Sequence, residues 1–415
     1  MKFVLFIFLF INTFFSYSQI KIKDLEAYRS KYKHNDAVVL KQNIDVKYFY
    51  DTDKNLKIAT TKSENILYLT DNASYLSEEL IYHNGLSSVS NISANHYSFD
   101  GKKYIKTEVK EFLTEDRFSP SIFFDDNKIT RVLYPKLKLF DQTEYEYTEI
   151  NIEPFLSDIY YFTSYFPIEN MELKVTVPKM VNIDYKTFNI NSENIKFSKE
   201  ETSDFIVYKW QAFGLQEYKI SEQSVPISYY KPHIAVYINQ YDKGGKSQKV
   251  SADVASLYNW YYSLIKDVNS ENSVQLAKLA DSLTKNKTNR IEKIKSIYYW
   301  IQDNIKYIAI EDGYSGFIPS KAEEVLQKKY GDCKGMSVLL YSLLKNAQIK
   351  SYLTWVGTRD IPYSYSELPT PNVDNHMIVV VENNDSLFFF LIVHQNSIHI
   401  NIRPTLFKIK MHFLV

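Results

Sequence analysis

The sequence is poor in cysteine and glycine, and neither sign of charge is in excess. One cysteine among 415 residues excludes a disulfide within the chain. Lys+Arg and Asp+Glu both number 49, without a basic stripe interleaved with aromatic residues, so we expect no nucleic-acid partner. The N-terminal half has no Gly-rich phosphate loop, and the 8 histidines show no paired ligand spacing. The closest approach to such spacing is His394 with His399, so we expect no metal and no cofactor.

Long hydrophobic runs are also absent, apart from one at the N-terminus. Met1 and Lys2 precede an apolar run, Phe3–Phe15, which two polar residues interrupt and which Ser16–Gln19 follow. The run is shorter than the roughly 20 residues that a membrane-spanning helix needs. A basic start, a short apolar run and small residues are typical of a secretory signal peptide. We expect export to the periplasm or the medium, and the alternative is an uncleaved membrane anchor.

Aromatic residues are abundant and favour strands. The chain has 35 Tyr and 26 Phe, which suit a pleated, half-buried surface. Short apolar runs with polar breaks extend from about Ala37 to Tyr230, and Met171–Val177 alternates with the period of a strand that has one wet face. These patterns predict an all-β, sandwich-like N-terminal domain that ends near the polar stretch Asp242–Ser247.

The period of the apolar pattern changes after this stretch. Apolar residues between Val254 and Ile265, and again between Ile291 and Ile305, recur at helical spacing. Ser320–Glu323 matches a capping box, which predicts a short helix from Lys321 to Lys328. The C-terminal part of the chain is therefore predicted to contain a helical scaffold.

The single cysteine, Cys333, stands at the start of the most apolar of these patterns. The residues from Met336 to Ala347 predict a buried helix, Gly331 permits a sharp entry to it, and Asp332 is a good N-cap. A thiolate in the first helical turn is stabilised by unpaired backbone N–H groups and the helix dipole. Cys333 is therefore a candidate nucleophile; alternatively, it packs as one more apolar residue on the helix face.

His376 is the candidate partner of this cysteine. It stands at the head of a predicted buried strand, Asn375–Val381, where it shares a face with Ile378 and Val380. A histidine at such a position can serve as the base toward a thiol at a helix N-terminus. Taken alone, the histidine could also be an edge residue of the sheet whose hydrogen bonds are satisfied locally. Its combination with a lone cysteine at a helix N-terminus favours a functional pair.

Five short stretches, in this order, resemble the core of the transglutaminase-like superfamily. They are Trp300–Tyr307, Gly316–Pro319, Glu324–Leu326, Tyr330–Lys334 and Asn375–His376. The resemblance is specific over about Arg290 to Val381. The chain looks most like exported bacterial proteins in which a β-rich domain of unknown function, DUF3857, precedes that core. In the β-rich half the resemblance rests mainly on domain order.

The resemblance implies a papain-like α+β fold with a Cys-His-Asp triad. In that scheme Cys333 is the acyl-accepting nucleophile, and His376 is the base and later the acid. Attack on an amide would give a thioester, which an amine or water resolves. Bacterial relatives need no metal for this chemistry.

The C-terminal end departs from the family pattern. The family has an aspartate about one β-hairpin after the histidine, but no aspartate follows Asp385 here, and Asp385 falls in a predicted hairpin turn. We interpret this as a departure from the ancestral reading frame near Phe390, which leaves the triad without its orienting acid. Asn396 or a backbone carbonyl would be the substitute acceptor, and the lost strand would leave a sheet edge exposed.

These observations predict a multidomain chain. It has a signal peptide (1–19), a β-rich DUF3857-like domain (20–240), an incomplete transglutaminase-like domain (241–396) and an atypical tail (397–415). The predicted function is thiol acyl transfer or amide hydrolysis on peptides or proteins, by an active enzyme or by a descendant that loss of the triad Asp has impaired. The alternative is a non-catalytic binding or structural envelope protein with a relic core. In either case the β-rich domain is expected to contact envelope-associated proteins.

Overall fold

The computed structural model describes residues 22–117, 124–156, 158–190, 194–218, 225–268, 273–308, 310–311, 313–383, 387–391 and 413–414. The helices are α1 (Leu25–Lys31), α2 (Val254–Ile265), α3 (Val274–Thr284), α4 (Arg290–Asn304), α5 (Ala322–Lys328) and α6 (Cys333–Asn346). The strands up to residue 201 are β1 (Ala37–Tyr50), β2 (Leu56–Tyr68), β3 (Glu78–His83), β4 (Ser87–Phe99), β5 (Tyr104–Val109), β6 (Phe112–Asp116), β7 (Phe124–Asp125), β8 (Lys128–Leu133), β9 (Gln142–Asn151), β10 (Asp158–Tyr161), β11 (Ile168–Pro178), β12 (Val181–Phe188) and β13 (Ile195–Glu201). The later strands are β14 (Phe205–Leu215), β15 (His233–Lys243), β16 (Lys246–Lys249), β17 (Lys306–Tyr307), β18 (Ile310–Glu311), β19 (Tyr330–Gly331), β20 (Ser351–Val356), β21 (His376–Asn383), β22 (Leu387–Leu391) and β23 (Phe413–Leu414).

The N-terminal half is β-rich, as predicted. Its large sheet has the strand order β13-β14-β11-β1-β2-β9-β4-β5, and a smaller sheet has the order β3-β8-β6. The pairing of β1 with β11 is parallel, and Val39 lies opposite Ile168. Alternation places one set of side chains inside: along β11, Met171, Leu173 and Val175 are almost fully buried.

Strand β15 joins the two halves of the molecule, because its two faces contribute to different hydrophobic cores. Ile234, Val236 and Ile238 belong to the core of the β-rich half. Ala235 and Tyr237 belong to the core of the helical half. The strand is central in the sheet β10-β15-β12 and is therefore a wall shared by both halves.

The C-terminal half is α+β. Helices α2 to α6 pack around a sheet with the strand order β22-β21-β20-β23. Helix α6 is central, and every residue from Cys333 to Leu340 is buried. Leu339, Leu340 and Leu343 have no exposed surface and pack in one core with residues of β20 and β21. The apolar period of the sequence predicted this helix correctly.

Three details differ from expectation. The N-cap of α5 is Lys321 and no side chain caps this helix, so the predicted capping box at Ser320 is wrong, although the helix is present. The stretch Asp242–Ser247 is the turn of the β15–β16 hairpin, and α2 begins only at Val254. In the tail, β23 pairs with β20, so this flank of the sheet has a neighbour at Thr354 and Trp355.

Other predictions lie outside the described residues. These are the signal peptide, Asp385, His394, Asn396 and His399. Within the described part of the chain, no helix combines the length and the apolar character that crossing a membrane requires.

Candidate active site

Cys333 is the first residue of α6, as predicted. The N-cap is Asp332, whose carboxylate oxygen Oδ1 accepts a hydrogen bond from the backbone N–H of Gly335 at 2.7 Å. The side chain of Asp332 therefore accepts from one of the backbone N–H groups in the first turn of the helix. Backbone N–H groups in the first turn of any helix have no carbonyl acceptor one turn earlier, and they favour an anion at the helix N-terminus. Cys333 itself is 8% exposed. The thiol therefore lies at the positive end of a buried helix.

The charge of Asp332 is balanced locally. Its Oδ2 forms an ion pair with the Nζ of Lys334, and both side chains are buried. An isolated carboxylate beside Cys333 would oppose formation of a thiolate, because two negative charges would lie close together. The ion pair removes this objection, since Asp332 and Lys334 together carry no net charge.

Two glycines let α5 approach the entry to α6. A Cβ at Gly331 would lie 3.2 Å from Val325 Cγ1, and one at Gly335 would lie 3.1 Å from Val325 Cγ2. Both distances are tighter than ordinary van der Waals contact. The sequence suggested that Gly331 provides conformational freedom, whereas the structure assigns it to close packing of two helices.

His376 is the first residue of β21, where it lies opposite Val356 of β20 and is partly buried. Helix α6 packs beside this strand: the hydroxyl of Ser337 donates a hydrogen bond to the carbonyl oxygen of Met377 at 3.1 Å. Ser337 lies one helical turn after Cys333, and Met377 directly follows His376. The structure thus brings together the start of the helix that carries the cysteine and the start of the strand that carries the histidine.

Asp374, two residues before His376, is a polar residue that sequence reasoning missed. Its Oδ1 accepts a hydrogen bond from the hydroxyl of Tyr261 at 2.7 Å, and its Oδ2 accepts one from Tyr365 at 3.0 Å. Burial raises the pKa of this carboxyl group to about 7, against the opposing effect of the two hydroxyl donors. The only signal in the sequence was an acidic residue next to the predicted strand.

The same tyrosines anchor the start of β21. Tyr365 also donates to the carbonyl oxygen of Trp355 at 3.0 Å, and the ring of Tyr261 stacks on Trp355 with centroids 4.3 Å apart. Trp355 is paired with Met377 across β20 and β21. Asp374 therefore belongs to a cluster that connects α2, the loop before β21 and the sheet.

A cleft of about 580 Å³ lies beside the entry to α6. Its lining includes Tyr330, Gly331 and Asp332, the three residues that directly precede Cys333. Residues of α5 and of the segment before it form other parts of the wall, among them Ile308, Tyr314, Ile318 and Glu324. Neither Cys333 nor His376 is among the lining residues, so the cleft adjoins the residues that lead into the candidate nucleophile. Among the residues that the structure describes, no three His, Cys, Asp or Glu side chains form a group able to bind a metal ion.

Comparison with known proteins agrees with this architecture. The sequence model of the Transglutaminase-like superfamily matches residues 277–381, and that of DUF3857, a domain of unknown function with a solved structure, matches residues 57–219. No curated protein matches the sequence.

Two solved bacterial structures are among those similar to this chain. The crystal structure of a candidate protease from Parabacteroides distasonis ATCC 8503 is similar over 86% of this chain and 67% of its own, with 16% identity and a TM-score of 0.65. At this identity the likeness concerns the fold. A candidate cysteine protease from Cytophaga hutchinsonii is 12% identical over 58% of this chain and 74% of its own, with a TM-score of 0.24, too low to support an argument. In its matched segments the chain has a DUF3857 domain followed by a core of the transglutaminase-like superfamily.

Proposed function

We propose that this protein is an exported thiol enzyme that acts on peptide or protein amides, with Cys333 as nucleophile and His376 as base. The observation that carries the proposal is the position of Cys333 at the capped, positive end of α6, beside the start of the strand that carries His376. The fold of the superfamily adds support. Envelope-associated proteins would be partners of the β-rich domain.

The chemistry follows from this arrangement. His376 takes the proton of the Cys333 thiol, the sulfur attacks the amide carbonyl carbon, and backbone N–H groups at the start of α6 stabilise the developing oxyanion. The C–N bond breaks, His376 gives its proton to the departing amine, and a thioester remains on Cys333. An amine or a water molecule, deprotonated by His376, then attacks the thioester and releases the thiolate. The first outcome is acyl transfer and the second is hydrolysis.

The burial of Cys333 favours a second candidate function. A thiol with 8% exposure is also what a packing role would give, and the protein would then be a non-catalytic binding or structural protein of the envelope. The two functions differ in the ionisation of the thiol, which a chemical probe can measure.

Alkylation by iodoacetamide tests the proposal, and the single cysteine makes the signal unambiguous. We expect the native protein to react rapidly at pH 6 and His376→Ala to react at least tenfold more slowly. His34→Ala, which changes an exposed histidine of the β-rich half, is the matched control and should behave as the native protein does. Slow alkylation from pH 6 to 9, with no effect of His376→Ala, would instead support the packing role.

A further inference from the structure

The described residues of the segment 308–319, which are 308, 310–311 and 313–319, form one wall of the cleft, and this segment is hydrogen-bonded to the entry of α6. The backbone N–H of Ile308 donates to the carbonyl oxygen of Gly331 at 3.0 Å, and β17 pairs in parallel with β19. Ile308, Tyr314 and Ile318 line the cleft. The position of this segment, which we call the cleft wall, therefore affects the shape of the cleft beside the residues that lead into Cys333.

The β-rich half holds the cleft wall through a carboxylate bridge formed by the half-buried Asp126. Asp126 Oδ2 accepts hydrogen bonds from the backbone N–H of Gly85 at 2.8 Å and of Gly313 at 2.9 Å. Gly85 belongs to the loop between β3 and β4, whereas Gly313 belongs to the cleft wall. A Cβ at Gly85 would lie 2.0 Å from the same oxygen, so only glycine permits this approach.

Strand pairing and a second carboxylate reinforce the bridge. Strand β7, from the β-rich half, pairs in parallel with β18 of the cleft wall. The hydroxyl of Tyr314 donates to Glu153 Oε2 at 2.6 Å, and Glu153 is itself 8% exposed, with Oε1 held by the backbone N–H of Phe155 at 3.0 Å. A buried carboxylate fixed on both oxygens is a rigid acceptor, so it restrains the tyrosine it binds.

An aromatic contact completes the connection. Phe155 stacks on Trp260 with ring centroids 4.7 Å apart, and Trp260 meets the edge of Phe317 at 5.2 Å. Phe317 lies in the cleft wall between two lining residues. The cleft wall is thus held by four kinds of contact that begin in the β-rich half. They are the carboxylate bridge, the strand pairing, the hydrogen bond of the tyrosine and the aromatic stack.

We propose that the DUF3857 domain positions the cleft wall for an extended peptide substrate, with Asp126 and Glu153 as positioning residues. Both residues lie within the 57–219 match, and the wall lies within the 277–381 match. The substrate part of the inference rests on the proposed thiol chemistry. The positional part does not, because the contacts exist whether or not Cys333 reacts. A wall segment that is already ordered loses little conformational entropy when a substrate binds, so binding is more favourable.

Two measurements on the full-length protein test the proposal with Asp126→Ala and Glu153→Gln. The first is hydrogen–deuterium exchange of peptides that cover residues 308–319. The second is the ratio of two alkylation rates of Cys333, one for an iodoacetylated hexapeptide of alanine and glutamine and one for iodoacetamide. Asp100→Ala is the matched control, because its carboxylate caps the N–H groups of Lys102 and Lys103 within one turn of the β-rich half.

We expect exchange in the cleft wall to rise at least tenfold in Asp126→Ala and by less in Glu153→Gln, whose amide oxygen can still accept from Tyr314, and the rate ratio to fall about tenfold in Asp126→Ala, with neither change in the control. Unchanged exchange in a folded Asp126→Ala variant would overturn the proposal, as would a raised exchange with an unaltered rate ratio. Should Cys333 resist both reagents in every variant, the thiol chemistry fails, and the exchange data alone decide whether the domain holds the wall.

Discussion

Replacing Asp374 by asparagine should stabilise the protein at pH 8 and should stabilise it less than half as much at pH 5. Burial raises the pKa of this carboxyl group from 3.8 to about 7. A shift of about three units, at about 1.4 kcal/mol for each unit, sets an upper bound of about 4 kcal/mol. Because Asp374 is partly exposed, solvent screening reduces the expected effect to about 2 kcal/mol.

The pKa of Asp374 is higher in the folded protein than in the unfolded chain, and this difference decides how stability depends on pH. The folded protein binds the proton of Asp374 more tightly than the unfolded chain does. The contribution to stability is complete below pH 3.8 and is lost as the pH rises toward and through about 7. Asparagine resembles the protonated acid, since it keeps an acceptor oxygen for one tyrosine and carries no charge, so the variant should avoid the loss at pH 8.

Urea unfolding at pH 5 and pH 8, followed by tryptophan fluorescence, measures the difference between variant and native protein. The difference in free energy of unfolding between variant and native protein is taken at each pH. Groups that titrate in the same way in both proteins then cancel. Asp360→Asn, at an exposed position in the loop before β21, is the control and should show no pH-dependent difference. A variant that is less stable than the native protein at pH 8 would refute the reasoning, because it would mean that the charged form stabilises the fold.

Three other changes test further parts of the structure. Burial raises the pKa of Glu64, and burial together with repulsion from Glu64 raises the pKa of Glu79. The free energy of unfolding in urea should therefore fall from pH 5 to pH 8, and replacing both residues by Gln should flatten this dependence. Asp332→Asn keeps an N-cap but removes the charge partner of a buried lysine, and it should lower the free energy of unfolding by about 3 kcal/mol. Tyr363→Phe removes the hydroxyl that donates to Nε2 of the buried His233, so the free energy of unfolding in urea should fall by about 1 kcal/mol. An unchanged urea midpoint would show that this hydrogen bond contributes nothing to stability.

Local patterns in the sequence predicted the elements that carry the candidate site. The alternation in Met171–Val177 predicted a strand, and the structure has β11 there. The apolar face after Cys333 predicted α6, and Asp332 caps it. These predictions succeed because strand alternation and helix capping depend on residues only two to four positions apart.

Contacts between distant residues could not be predicted in this way. Asp126 and Gly313 are 187 positions apart, and neither belongs to a recognisable motif. The parallel pairing of β1 with β11 likewise depends on the path of the whole chain. Asp374 was overlooked because its significance comes from Tyr261 and Tyr365, which reach it from other elements.

Neighbouring strands cover part of the C-terminal sheet in the described residues, where an exposed edge was predicted. Strand β22 pairs with β21 from Val379 to Asn383, and β23 pairs with β20 at Thr354 and Trp355. Both central strands therefore have neighbours on two sides over these residues. The C-terminal departure from the family pattern thus leaves this part of the sheet paired.

The stability of Cys333→Ala separates a nucleophile from a packing residue. If Cys333 only fills space in the core, its truncation should destabilise the protein as other buried truncations do, by about 2 kcal/mol or more for a large side chain such as Leu340. A residue selected for reactivity is held at some cost to the fold, so its removal leaves stability unchanged or raises it. We expect Cys333→Ala to change the free energy of unfolding in urea by less than about 0.5 kcal/mol, or to increase it. Leu340→Ala, on the same helix, gives the size of a larger core truncation, and a loss of about 1 kcal/mol or more in Cys333→Ala would mean that the thiol is part of the core.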